Sequence, residues 1–244
     1  MAKGVYAALS GAVGASVALD VTAQNLANAT TAGYQRLRPI FREVLAEQQR
    51  RPGQPPAPAA NHYSAAQGTV IDLTPGVTRS TGRALDVALP ESTFLAVRTG
   101  AGERYTRAGS ISRTPTGALR LADAELVDEG GKPIVVDPSA DVAATPDGRI
   151  LADGTAVARL RLVRFDQAAL LRPESGSLYA ASPESGEAQA ATGELLVGSL
   201  EDSNASPVNA MTELISVSRM FEAYQRAMET FREADRKIVT VPQT

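Results

Sequence analysis

Residues 5–26 read VYAALSGAVGASVALDVTAQNL, and this stretch decides the fold of the N-terminal part of the chain. Its apolar or small residues recur at alternating spacings of three and four, at Val5, Ala8, Ala12, Ala15, Leu19, Thr22 and Leu26. This heptad spacing is typical of a helix that packs along another helix. Asp20 is the only charged residue between Lys3 and Arg36. Every side of the helix is therefore apolar or small, which predicts several neighbours. A helix buried inside one ordinary domain would show the same pattern.

A second heptad occupies the C-terminal end of the chain. Its positions are Leu214, Val217, Phe221, Tyr224, Met228, Phe231, Asp235 and Ile238. Ser206 is a good N-cap residue, and Pro207 fits the first helical position, where its missing N–H costs nothing. The sequence therefore predicts a long helix at each end of the chain.

The middle of the chain changes to short strands and turns. Leu85, Val87 and Leu89 alternate with other residues in period two, which is typical of a strand with one buried face. Turn residues recur, for example at residues 129–131 (EGG) and 146–148 (PDG). Many short strands separated by turns predict an antiparallel β domain.

These patterns predict an α+β fold with four segments. Long N- and C-terminal heptad helices form a coiled-coil-like layer, and a central antiparallel β domain separates them in sequence. A Pro-rich stretch, residues 50–58 (RRPGQPPAP), cannot form a helix or a central strand because its prolines lack donors. The predicted segments are an N-terminal helix at 1–35, an extended Pro-rich linker at 36–80, the β domain at 81–200 and a C-terminal helix at 201–244.

The composition excludes several classes of function. The chain of 244 residues has no Cys and one His, so thiol enzymes, disulfide scaffolds and Cys-ligated metal sites are excluded. The formal net charge of -3 indicates no basic surface for nucleic acid. Gly130, Gly131 and Lys132 are followed by Pro133 and do not form a phosphate-binding loop. We therefore predict no enzyme activity, no catalytic residue, no cofactor and no metal.

Two alternatives of other classes remain open on the residues alone. A hydrolase would have to use His62, which lies in a polar stretch that favours an exposed or interface histidine. A secreted β-domain binding module would need a cleaved leader. The apolar run at 5–19 is diluted by Gly and Ser, shorter than the ~20 residues of a membrane span, and interrupted by Asp20. We therefore expect neither signal cleavage nor membrane insertion.

Several motifs resemble those of one known family, the flagellar basal-body rod and hook proteins. Residues 24–34 (QNLANATTAGY) resemble its Asn-Asn-x-Ala-Asn-x-x-Thr-Pro-Gly-Phe/Tyr signature, with Gln24 and Ala32 as departures. Residues 200–212 (LEDSNASPVNAMT) look like the C-terminal signature of the same family. Two stretches resemble its β-domain motifs, although the usual Gly-x-Gly-Phe after the first is replaced by PESTF: residues 82–89 (GRALDVAL) and 105–110 (YTRAGS).

The resemblance implies a structural subunit, closest to the proximal rod members of the family. It implies that the terminal helices form the inner layer of a tube, which crosses the periplasm and transmits motor torque for motility. The implied partners are copies of this chain, other rod subunits, both proximal and distal, and the flagellar type III export apparatus, with export occurring without signal cleavage. A distal rod protein or another axial subunit of the same family is the alternative within the family.

The candidate assembly residues are the apolar heptad positions of both helices together with four residues of the signature. They are Val5, Ala8, Ala12, Ala15, Leu19, Leu26, Asn25, Asn28, Gly33, Tyr34, Leu214, Val217, Phe221, Tyr224, Met228, Phe231 and Ile238.

Overall fold

Two long helices stand at the ends of the chain in the computed structural model, which describes residues 2–46 and 61–239. Helix α1 spans Ala2–Ala27 and helix α2 spans Pro207–Val239. Helix α2 begins at the proline that the sequence predicts for its first position. With the antiparallel β region between them, the helices confirm the α+β class. The Pro-rich stretch 50–58 lies outside the described residues.

A pair of long strands follows α1. Strand β1 spans Leu37–Ala46 and strand β2 spans Asn61–Ile71, and the two form a two-stranded sheet. The sequence places both strands in the extended linker and gives no sign that they pair. Pro39 lies within β1, and small or polar residues fill β2, so neither strand shows a clear alternation of apolar residues. His62 falls near the start of β2.

The central region contains sixteen short strands and one 3₁₀ turn at Ala168–Leu170. The strands are β3 (Thr78–Ser80), β4 (Val87–Ala88), β5 (Phe94–Thr99), β6 (Gly102–Thr106), β7 (Ile111–Arg113), β8 (Leu119–Leu121), β9 (Ala124–Leu126), β10 (Val142–Ala144), β11 (Arg149–Ala152), β12 (Thr155–Arg159), β13 (Leu162–Arg164), β14 (Arg172–Pro173), β15 (Leu178–Ala180), β16 (Gln189–Ala190), β17 (Leu196–Val197) and β18 (Ser199–Glu201).

All pairings among β3 to β18 are antiparallel. The largest sheet has nine strands; seven run in the order β14-β15-β6-β5-β9-β8-β7, and β13 pairs with β5 and β16. A three-stranded sheet contains β10, β11 and β12. Two pairs bring the last strands back onto the first, since β17 pairs with β4 and β18 with β3. The strand before α2 is therefore hydrogen-bonded to the start of the β region.

The chain forms two compact units. The helical unit contains Met1–Gln24, Arg38–Thr69 and Val208–Thr244, and the β unit contains Asn25–Leu37 and Val70–Pro207. The β unit has an apolar core to which β5, β8, β9 and β11 contribute fully buried side chains such as Val97, Leu119, Leu126 and Ile150. The last turn of α1 and the signature residues after it therefore belong to the β unit.

Truncation of one core side chain should destabilise the β unit. Leu126→Ala removes a fully buried side chain and should lower the free energy of unfolding by about 2–5 kcal/mol, because it leaves a cavity. Val157→Ala truncates a side chain of β12 that is 48% exposed, and should change it by no more than about 0.5 kcal/mol. Urea unfolding of the two variants measures the difference, and equal losses would contradict this core.

Candidate assembly site

Glycines of α1 receive aromatic rings of α2. A Cβ built on Gly4 would lie 2.9 Å from Cζ of Phe231, and one built on Gly11 would meet the ring of Tyr224. Gly11 lies seven residues after Gly4, whereas its partner Tyr224 lies seven residues before Phe231. The two helices therefore run antiparallel. Because glycine has no side chain, each ring can approach the α1 backbone closely. The sequence singled out Phe231 and Tyr224 but neither of these glycines.

The predicted heptad residues lie on the more covered sides of both helices. On α1, Ala8, Ala12 and Ala15 are buried, whereas Val5, Leu19 and Leu26 are half-buried. On α2 the half-buried positions are Leu214, Val217, Phe221, Tyr224, Met228 and Phe231. The backbone of Ile238 belongs to α2, but its side chain lies outside the described part. The structure thus brings Tyr224 and Phe231 against α1 within one chain and leaves the α2 positions only partly covered.

The signature residues close a loop at the end of α1. The side chain of the buried Asn25 donates from Nδ2 to the Leu37 carbonyl at 2.9 Å, and its Oδ1 accepts from the Leu37 N–H at 2.8 Å. The Tyr34 hydroxyl donates to the same Oδ1 at 3.0 Å. Asn28, which is half-buried, accepts at its Oδ1 from the Thr31 hydroxyl at 3.3 Å. The Asn25 side chain therefore holds the end of α1 against Tyr34 and Leu37, at the far end of the loop.

Gly33 sits where only glycine fits. Its φ is 69°, in the left-handed region, and a Cβ there would collide with the backbone of Arg107 and Ala108. Its N–H donates to the Glu201 carbonyl at 2.8 Å. The structure therefore places three predicted assembly residues, Asn25, Gly33 and Tyr34, in the interior of the β unit.

A buried ion pair lies beside this loop. The Arg107 guanidinium donates from Nη2 to Oε2 of Glu201 at 2.5 Å and from Nε to the same oxygen at 3.1 Å. Both residues are 4% exposed. The remaining donor of Arg107, Nη1, reaches the carbonyls of Thr93 at 2.8 Å and Pro90 at 3.1 Å. Paired buried charges of this kind need their remaining hydrogen bonds satisfied, and here they are.

Gln35 connects the signature loop to the ion pair. Its Nε2 donates to Glu201 Oε1 at 2.8 Å, and the Gly76 N–H donates to the same oxygen at 3.1 Å. The backbone N–H of Gln35 donates to the Tyr179 hydroxyl at 3.1 Å. Burial raises the pKa of the Tyr179 phenol above its ordinary value, so this hydroxyl stays neutral.

Asn204 ties two further segments to the same place. Its Oδ1 accepts from the Arg36 N–H at 2.6 Å, and its Nδ2 donates to the carbonyls of Asp72 at 2.8 Å and Thr74 at 2.7 Å. We define the polar cluster as Gln35, Arg107, Tyr179, Glu201 and Asn204. The chain segment that follows α1 and the segment that precedes α2 meet in this cluster.

The polar cluster is not evident from the sequence. Arg107 lies in the quoted motif 105–110, and Glu201 and Asn204 lie in the quoted motif 200–212. The sequence does contain one signal: in each of these two motifs a charged residue directly follows a strand residue that is buried. The sequence does not show that these charges meet, because Arg107 and Glu201 are 94 residues apart.

The described residues were also compared with the requirements of a metal site and of a membrane span. Within 2–46 and 61–239 no three His, Asp or Glu side chains converge to hold a metal ion. Gly4–Ala27 is long and apolar enough to cross a membrane by length and composition alone. The buried helix of a soluble protein and a leader sequence meet the same criterion.

Removing the charge of Glu201 should destabilise the β unit strongly. Glu201→Gln leaves Arg107 as an unpaired buried charge, which should cost about 3–5 kcal/mol of unfolding free energy. Glu129→Gln is the control, since its pair with Arg159 at 3.3 Å is exposed on both sides, and should cost about 0–1 kcal/mol. Denaturant unfolding at neutral pH measures both, and a loss no larger than the control's would show that the ion pair does not hold the fold.

The burial of Tyr34 should make the free energy of unfolding fall at alkaline pH. Burial raises its pKa from 10.0 to about 12, so the unfolded phenol ionises at a lower pH than the folded one. The stabilisation from Tyr34 is thus complete below pH 10 and falls as pH rises through 12. Tyr34→Phe should show a shallower fall of the unfolding free energy in that window. Tyr6→Phe, which alters a side chain that is 60% exposed, should keep the original slope; identical slopes in both variants would argue against this origin.

Comparison with known proteins gives the family of the chain. The model of the flagellar basal body rod FlgEFG protein C-terminal region matches residues 196–241, which contain β17, β18 and all of α2. The chain is 33% identical to the flagellar basal-body rod protein FlgF of Escherichia coli (strain K12), over 94% of each chain. It is 32% identical to FlgF of Salmonella typhimurium, over 96% of this chain and 95% of the relative.

A second kind of rod protein, FlgG, is almost as similar to the chain. The flagellar basal-body rod protein FlgG of Bacillus subtilis (strain 168) is 28% identical over 99% of both chains. These matches extend over 94–99% of the chain, so they confirm the resemblance found in the motifs. The chain belongs to the flagellar basal-body rod protein family and is FlgF-like within it.

Proposed function

We propose that the chain is a structural subunit of the proximal part of the flagellar rod. It assembles through its terminal helices into a tube that crosses the periplasm and transmits motor torque. The observation that supports this most directly is the similarity to FlgF proteins along nearly the whole chain. The two long terminal helices also lie for most of their length in one compact unit.

In this proposal the heptad positions of α1 and α2 form a coiled-coil-like layer. The helices of the predicted segments 1–35 and 201–244 would form the wall of the tube, whereas residues 25–35 and 201–207 of these segments belong to the β unit together with 81–200. The heptad residues are the proposed contacts of assembly. The signature residues Asn25, Asn28, Gly33 and Tyr34 would contribute to assembly by fixing the end of α1 within the subunit. The half-burial of the α2 positions supports this, because a neighbouring subunit can cover the apolar surface that remains.

The proposed mechanism is mechanical. Torque would be resisted by many dispersed apolar contacts between neighbouring helices, each worth about 0.1–0.2 kcal/mol per atom pair. Such a layer needs no reactive group, cofactor or metal, and the relatives are named as rod proteins rather than enzymes. The polar cluster would keep the two segments that lead into the helices at a fixed separation under load.

The partners in the proposal are copies of this chain and other rod subunits, proximal and distal. Export through the flagellar type III apparatus without signal cleavage is part of the same proposal. A distal rod role is the alternative within the family, and the similarity to FlgG favours keeping it. A cleaved leader is the alternative that the apolar α1 suggests.

A deletion strain tests the proximal role. Loss of the gene should abolish motility and leave basal bodies that stop before the distal rod, as seen by electron microscopy. Full-length protein should restore motility. Phe221→Asp, which charges a half-buried heptad position, should not, whereas Glu229→Gln, at an exposed position of the same helix, should.

Other results would redirect the proposal. Basal bodies that contain a complete proximal rod in the deletion strain would favour a distal role. Mass spectrometry of the protein in purified basal bodies should recover residues 2–27, and their absence would indicate a cleaved leader.

A further inference from the structure

The chain passes between the helical unit and the β unit four times, at 24–25, 37–38, 69–70 and 207–208. A unit attached through separate segments can turn about a few backbone bonds in each of them, so motion between such units is the ordinary expectation. The contacts among the four segments therefore decide how the attachment responds to load. We define exits 1 to 4 as the residues on the β-unit side of each passage: Asn25, 36–37, 70–74 and 204–207.

The side chain of Asn25 ties exit 1 to exit 2. Its Nδ2 donates to the Leu37 carbonyl at 2.9 Å, and its Oδ1 accepts from the N–H of the same residue at 2.8 Å. An amide has both a donor and an acceptor, so it binds the two backbone groups of one residue at once, as a neighbouring strand would. Asn25 and Leu37 are both buried. The two exits therefore cannot separate without breaking two buried hydrogen bonds.

The side chain of Asn204 ties exit 4 to exits 2 and 3. Its Oδ1 accepts from the Arg36 N–H at 2.6 Å, and its Nδ2 donates to the carbonyls of Asp72 at 2.8 Å and Thr74 at 2.7 Å. Exits 2 and 3 are also joined directly, since the Asp72 N–H donates to the Arg36 carbonyl at 2.8 Å. All four exits are therefore linked, and two asparagine side chains make most of the links.

The segment after exit 3 lies directly against the segment before exit 4. A Cβ built on Gly76 would collide with the carbonyl oxygen of Asp202. The Asp202 N–H donates to the Val77 carbonyl at 2.9 Å, and from there β3 pairs with β18. The two segments thus approach each other so closely that position 76 has no space for a side chain.

We propose that Asn25 and Asn204 are positioning residues that join the four exits into one torsionally stiff attachment. The proposal rests on the proposed rod function and names the residues through which torque passes between the helices and the β unit. A twist acts on all four exits together, because turning one of them would break its hydrogen bonds to the others. Both places require an amide, since a carboxylate would turn an oxygen towards the carbonyls that Nδ2 now binds.

Distances between spin labels test the attachment in the purified full-length protein. The chain has no Cys, so Ala27→Cys and Pro75→Cys, at exposed positions beside exits 1 and 3, carry the only labels. Pulsed electron paramagnetic resonance should give one narrow distance distribution. Asn25→Asp and Asn204→Asp should each widen that distribution in the folded protein, because each cuts the path of hydrogen bonds from exit 1 to exit 3.

Matched variants separate a loosened attachment from a general loss of stability. Asn209→Asp makes the same chemical change at an exposed position of α2 and should leave the distribution narrow. Leu126→Ala removes a core side chain that takes no part in the ties, and should add unfolded protein without widening the folded distribution. Asn25→Ala and Asn204→Ala repeat the measurement without a buried charge. A distribution as narrow in the Asn25 and Asn204 variants as in the parent overturns the proposal.

The same variants in the deletion strain test the link to torque. Cells with Asn204→Asp should build flagella and swim in dilute medium but stop at a lower viscosity than the parent, whereas cells with Asn209→Asp should match the parent. Equal viscosity limits would show that the attachment does not carry torque, and a failure to build flagella would place the loss before torque. Either result also overturns the proposal. A deletion strain that keeps its motility would instead reject the proposed function, whatever the label distances.

Discussion

The ion pair between Arg107 and Glu201 is the interaction on which the rest of the structure depends. A buried charge without a partner would cost several kcal/mol, so each of the two residues depends on the other in the folded β unit. Their meeting brings together strands that are far apart in sequence. It also brings Gln35, eight residues past the end of α1, to Glu201, six residues before the start of α2. The segments leading into both helices therefore share one anchoring point.

The anchoring point also explains the signature loop. Gly33 lies against the backbone of Arg107 and Ala108 at a positive φ, and its N–H binds the Glu201 carbonyl. Asn25 and Tyr34 close the loop on the other side. The signature thus encodes the attachment of the end of α1 to the β unit. This accounts for the mixture of Asn, Gly and an aromatic residue at this spacing, which neither helix formation nor surface exposure would require.

The elements that have a local signal in the sequence were predicted correctly. Both terminal helices follow from heptad spacing, and the start of α2 follows from Ser206 and Pro207, because caps and periodicity act within a few residues. The polar cluster was missed because it joins residues that lie far apart along the chain, such as Arg107 and Glu201. The β1–β2 pair was missed because neither strand shows a clear alternation of apolar residues. Burial around α1 could not be predicted for another reason. Leu9 and Val13 fit helical spacing as well as Ala8 and Ala12 do, and only the structure shows that the alanines are the covered residues.

The two units therefore use opposite kinds of interaction for different tasks. The β unit is held by a buried ion pair and by directional hydrogen bonds. These fix its geometry, since Arg107, Gln35 and Asn204 each need particular partners. The helical unit relies on glycines, alanines and apolar rows, whose contacts are individually weak and non-directional. Glycine lowers the stability of an isolated helix by about 1 kcal/mol, so α1, with Gly4, Gly11 and Gly14, gains much of its order from what it contacts. In the proposed rod, a neighbouring subunit would supply further contacts to this helix, whereas the β unit holds its shape through contacts within one chain.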